Sequence, residues 1–183
     1  MLSRLLSHIL LSAALSLACA STHASSELRL DGIPDEALWQ DAQTFDQFKV
    51  TVPYTLAEPT HATRALVRSL PEGLAVAIVA DQPASTPRVK PRAARDSGIP
   101  ADRINFAVDF DGDGRVAYNF MVTLGRGIAD EVITNENIYS TDWDAVWQWA
   151  LREDEDQWSV EILIPWSVAA MRESDAPKRT IGV

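Results

Sequence analysis

The chain reads as an all-β protein, an antiparallel β-sandwich with one or two short helical turns. Three observations predict this. After the first two dozen residues, no apolar pattern holds a helical period over a helix of normal length. Roughly nine short runs of alternating or continuous apolar residues follow one another at the spacing of sandwich strands. Gly, Pro, Asp and Asn punctuate them, most plainly at Asp111-Gly112-Asp113-Gly114 between two alternating runs.

Residues 1–24 read as an export signal. Arg4 gives the positive start, Leu5–Ala18 the apolar stretch, and Ala18-Cys19-Ala20 and Thr22-His23-Ala24 two cleavage positions. The apolar stretch is too short for a membrane span. Ser16-Leu17-Ala18 before Cys19 fits a lipid-attachment box poorly. The mature domain, residues 25–183, is therefore expected in the periplasm, at the outer membrane or outside the cell. Cys19 is the only cysteine, so that domain has no disulfide. About 160 residues suffice for one domain with a two-layer core.

Along the mature chain, Glu27–Leu30 reads as a first strand and Asp31-Gly32 as its turn. Pro34–Ala42 is one or two helical turns, with Pro at the start and acids in the first turn. Phe45–Val52 and Ala62–Leu70 read as strands. Gly73–Asp81 is apolar on both parities, the mark of a central strand. Gln82–Pro100 is a long, Pro-rich loop with Arg88, Lys90, Arg92 and Arg95, expected as a solvated surface insertion. Arg103–Phe110 and Val116–Leu124 flank the Asp-Gly turn, and Gly127–Thr134 is the next strand. Ala145–Arg152 and Gln157–Ile164 are joined by the acidic turn Glu153–Asp156. Pro165–Met171 is a helical turn, and Arg179–Val183 begins another strand. That strand is apolar up to Val183, so further sequence is expected after it.

Five of the six tryptophans lie between Asp142 and Trp166. Trp is the ring best suited to stacking on sugar faces, and also the largest core filler. Period-2 patterning turns Trp147, Trp149 and Trp158 inward. Trp39, among Leu38 and Ala42, is expected to plug the end of the sandwich. Trp143 differs, because it follows the polar run Thr134–Asp142 and stands between Asp142 and Asp144. It reads either as a sugar platform or as a rim ring folded over the core. In the first reading Tyr139, Asn135, Glu136 and Asn137 supply polar contacts.

Asp109, Asp111 and Asp113, followed by Gly114, match the first half of a calcium loop, whose alternate carboxylates converge on one hard cation. The twelfth position falls on Phe120, where the loop needs Glu. The same residues also read as a plain hairpin turn.

The chain carries 16 basic and 26 acidic residues, a net charge of −10. That argues against nucleic acid or an anionic lipid surface as the main partner, and suits a neutral ligand or a divalent cation. Outside the signal His61 is the only histidine, which leaves little for a His-based triad or a His-rich zinc site. A glycosidase needs only two carboxylates, which sequence alone does not exclude.

Four pieces occur in a recognisable order: Leu30-Asp31-Gly32 with Asp35-Glu36 and Trp39; Val108–Asp111 with Ala117-Tyr118; Trp143-Asp144 with Val146-Trp147; and Trp158 with Glu161-Ile162 and Ile164-Pro165-Trp166. Together they resemble carbohydrate-binding module family 9, and most of all the family 9-like module at the front of bacterial envelope proteins. The resemblance covers residues 27–183. It implies a β-sandwich that binds poly- or oligosaccharide, often with structural calcium. It also implies attachment to a xylan-degrading O-glycosyl hydrolase or to a C-terminal membrane barrel. Two tryptophans clamp the terminal sugar in sugar-binding members; Trp143 takes one place, and Trp147 or Trp166 is nearest to the other. The expectation is an exported, non-catalytic module that binds carbohydrate within a polysaccharide-degrading system. The alternative is an envelope module before an outer-membrane barrel, with no sugar site retained.

Overall fold

The computed structural model describes residues 27–173 and 178–183; the stretch expected to be an export signal, residues 1–24, lies outside them. The molecule is an all-β sandwich of two antiparallel sheets. Nine strands appear in order: β1 (Gln43–Phe45), β2 (Thr63–Ser69), β3 (Gly73–Asp81), β4 (Arg103–Val108), β5 (Val116–Thr123), β6 (Ile128–Thr134), β7 (Ile138–Ser140), β8 (Gln148–Glu153) and β9 (Gln157–Pro165). One sheet has five strands in the order β1-β2-β3-β9-β8, the other four in the order β4-β5-β6-β7. Two short 3-10 turns, Ala37–Asp41 and Trp166–Val168, are the only helical elements among the described residues.

β3 is central to its sheet, as its two-sided apolar pattern predicts. Val76 and Ile78 enter the core between the sheets, while Ala75 and Ala77 join a second, smaller core. Val160, Ile162 and Ile164 of β9 face Phe106, Val108, Phe120 and Val122 of the other sheet in the main core.

The second core lies on the outer face of the five-stranded sheet. Leu38 and Trp39 pack there on Leu66, Ala75 and Ala77. Trp39 therefore covers a sheet face and does not plug the sandwich end. The anchor is Glu161, fully buried on β9. Its carboxylate accepts N–H bonds from Asp31 at 3.1 Å, Gly32 at 2.8 Å and the Trp39 indole at 3.2 Å. Ser159 donates to the Gly32 carbonyl at 2.6 Å. Two pieces of the sequence pattern, Leu30-Asp31-Gly32 with Trp39 and Trp158 with Glu161, thus meet in one structural latch.

Four expected elements differ. Glu27–Leu30 forms no strand; its Arg29 N–H donates to the Glu36 side chain at 3.1 Å and its Arg29 carbonyl accepts from Asp31 in a local turn, not in a ladder. Phe45–Val52 contributes only the end of β1; beyond it, Val50 pairs with Ala57 and Leu56 within their own loop. Arg179–Val183 makes a single bridge, Asp109 to Gly182. The polar run after Thr134 contains β7, with Asn135 and Glu136 turning in the left-handed region at φ 49° and 67°.

The long Gln82–Pro100 segment has no strand, but it is not a loose insertion. Arg88 reaches Glu153 Oε1 at 2.9 Å and the carbonyls of Asp154 at 2.6 Å and Glu155 at 2.9 Å. The Pro91 carbonyl lies where a Cβ on Gly125 would be, at 2.0 Å. Further on, Arg95 pairs with Asp130. The segment therefore crosses from the five-stranded sheet to the four-stranded one and ties them together.

Candidate functional site

The tryptophans divide by what their indole N–H groups meet. Trp39, Trp158 and Trp166 donate to Glu36 and Glu161, to Gln82 and to the Leu70 carbonyl. Trp147 is buried, and its N–H has no hydrogen-bond partner among the described residues. Trp143 and Trp149 are half-buried, and neither N–H has a hydrogen-bond partner among the described residues.

Trp143 packs against the rings of Tyr118 at 4.8 Å and Phe120 at 6.0 Å. Its neighbour Asp142 is exposed. Asp144 is ion-paired to Arg95 Nε at 3.0 Å. Asn137 is exposed beside β7, and Tyr139 on β7 is 58% exposed. Register sets Tyr139 beside Ile133 and Ala117, on the face away from Tyr118 and Trp143. Trp166 packs edge-on against Phe110 at 6.3 Å, and Phe110 meets Tyr118 at 5.7 Å. Two rings thus stand between Trp166 and Trp143, and the pair does not form facing plates.

Trp149 shares the inward parity of Trp147, as the alternation predicts, but it lies on β8, the edge strand of its sheet. An edge strand has a neighbour on one side only, so its inward side chains are covered on one flank. Trp149 therefore lines an open cleft of about 660 Å³ with Asp31, Arg126, Arg152 and Glu153. Parity alone places this ring in the core; nothing in a single strand's sequence shows that the strand lies at an edge.

The cleft's carboxylates already have cations. Asp31 pairs with Arg29 at 2.6 Å. Glu153 pairs with Arg88 at 2.9 Å and Lys90 at 2.6 Å, and these partners hold its carboxyl below the usual range, Lys90 first. Arg152 pairs with Asp154 at 3.3 Å. Arg126 has no ion pair among the described residues; it donates from Nη2 to the Leu151 carbonyl at 3.2 Å.

The acidic turn places its carboxylates apart. Asp109 accepts N–H bonds from Asp111 at 3.0 Å, Gly112 at 2.9 Å and Gly114 at 2.7 Å. Burial alone would raise its pKa, but these donors outweigh it and bring it below the usual value. Asp111 is paired with Arg179 at 2.8 Å, and Asp113 with Arg172 at 2.7 Å. A calcium ion here would have to displace two guanidinium groups. Elsewhere, Asp96, Asp130 and Asp144 bring one oxygen each within 4.8 Å of one another, the donor chemistry of a hard-cation site. Arg95 stands among them, bound to Asp130 and lying 3.0 Å from Asp144 and 3.6 Å from Asp96. The positive charge such a cluster needs is therefore supplied by the chain itself.

No family model, curated protein or solved structure matches the chain.

Proposed function

We propose that this domain is an exported, non-catalytic carbohydrate-binding module whose site is the Trp149 cleft. The observation that carries the reading is a half-buried indole with an unpaired N–H, set in an open cleft among hydrogen-bonding side chains. That combination suits a saccharide: the ring packs on C–H faces while polar groups take the hydroxyls. The sandwich and the order of the four sequence pieces, similar to family 9 modules, support the same reading. The reading does not call on calcium; at both acidic clusters arginines of the chain pair with the carboxylates.

The test is calorimetric titration of the chain with xylo- and cello-oligosaccharides, alongside Trp149→Ala and Trp143→Ala. Saturable binding lost in Trp149→Ala, with a native circular dichroism spectrum, is the expected result. Loss in Trp143→Ala alone would move the site to the rim beside Asp142 and Tyr139. A folded protein that binds no saccharide, neutral or acidic, would overturn the reading.

A further inference from the structure

We infer that the Trp149 cleft takes an acidic carbohydrate, one bearing a uronate, and that Arg126 binds its carboxylate. This rests on the carbohydrate-binding reading above and names the class of sugar. The protein as a whole is acidic, yet the cleft is not. Asp31 is paired with Arg29, which also meets Asp35 and Glu36, while Glu153 carries two cations, Arg88 and Lys90. Arg152 is committed to Asp154. The remaining charge lining the cleft is the exposed guanidinium of Arg126.

That guanidinium is also held in place. Its backbone sits in the left-handed region at φ 67°, in the turn closed by its N–H to the Thr123 carbonyl at 2.8 Å. A non-glycine residue there is uncommon and costs free energy, and such positions cluster at functional sites. On the preceding residue, Gly125, the Pro91 carbonyl packs so closely that no side chain fits. The bond from Nη2 to the Leu151 carbonyl spends one donor and ties the side chain to the strand that carries Trp149. The other donors of the fork stay available, and a planar fork of N–H groups matches a carboxylate in two parallel hydrogen bonds. A uronosyl unit offers what the cleft lacks: an apolar ring face for the indole and an anion for Arg126.

The experiment titrates the full chain with tetragalacturonate and its fully methyl-esterified form, and with glucuronate-decorated xylotetraose and plain xylotetraose. The same ligands are then titrated into Arg126→Gln and Arg126→Lys, each checked by thermal melting. We expect at least one acidic member to bind about tenfold or more tighter than its neutral partner. Arg126→Gln should remove that preference, so that acidic and neutral partners bind alike, while Arg126→Lys keeps part of it. Rising salt should weaken the acidic ligand only. Equal binding of acidic and neutral partners, or a preference that survives Arg126→Gln, would overturn the inference and leave carbohydrate binding standing. No binding by any of the four would overturn the inference, and the absence of cello-oligosaccharide binding as well would overturn carbohydrate binding.

Discussion

Glu161 shows how one residue organises a whole layer. It is a fully buried carboxylate, and no cation among the described residues bonds to it; three N–H donors from the N-terminal segment satisfy it instead. Gly32 is the residue that lets this happen. Its φ of 86° is in the glycine region, and a Cβ would meet Arg152 N at 2.5 Å and the Leu151 carbonyl carbon at 2.7 Å. Both contacts are with backbone, which does not yield easily. Gly32→Ala should therefore cost about 3 kcal/mol, read as a fall in melting temperature of roughly 10 °C; a shift within a degree or two would show that the latch is not needed. The chemistry of Leu30-Asp31-Gly32 was visible in the sequence as a turn, but its partner was not. Asp31 and Glu161 are far apart in the chain, and only folding brings them together. The tryptophans teach the same limit. Alternation correctly turned Trp147, Trp149 and Trp158 inward, yet Trp149 is half-exposed because its strand is at an edge.

Among the elements, the strands whose apolar pattern is strong, β3, β4, β5 and β9, were readable almost to the residue. Each buries its apolar face, so its period survives in the sequence. β7 was missed because its exposed Ile138 and Tyr139 sit in a polar run and buy little burial. The long Gln82–Pro100 segment was recognised as a loop, while its role was hidden. Arg88 is 12% exposed and binds Glu153 together with the carbonyls of Gln82, Asp154 and Glu155. Removing it leaves those groups short of donors in a partly buried place. Arg88→Ala should cost about 2 kcal/mol and speed proteolytic nicking within residues 82–100; an unchanged digestion rate would show that the segment is held by other contacts.

At the scale of the molecule, buried carboxylates set how stability follows pH. Burial pushes Asp130 and Glu161 above their usual values, against the pull of their N–H donors. Groups raised in the folded state contribute stability that is present below their unfolded value and lost as pH rises through the folded one. Asp109 and Glu153 are lowered, so their contribution is present above the unfolded value and lost on acidification. The net charge of −10 adds self-repulsion that grows towards high pH. The melting temperature should therefore peak on the acid side of neutrality, and Asp130→Asn with Glu161→Gln should flatten the fall above the peak. Melts recorded across pH check this; an optimum at or above neutrality in the native chain would contradict it. By itself the sequence determined the all-β class, the antiparallel alternation, the central β3 and the inward parity of the tryptophans, because these follow from local period and turn chemistry. Only the tertiary structure decided which strand became an edge, which carboxylates met arginines and which ring was left facing a cleft. Those outcomes depend on neighbours distant in the chain, and a local pattern holds no record of them.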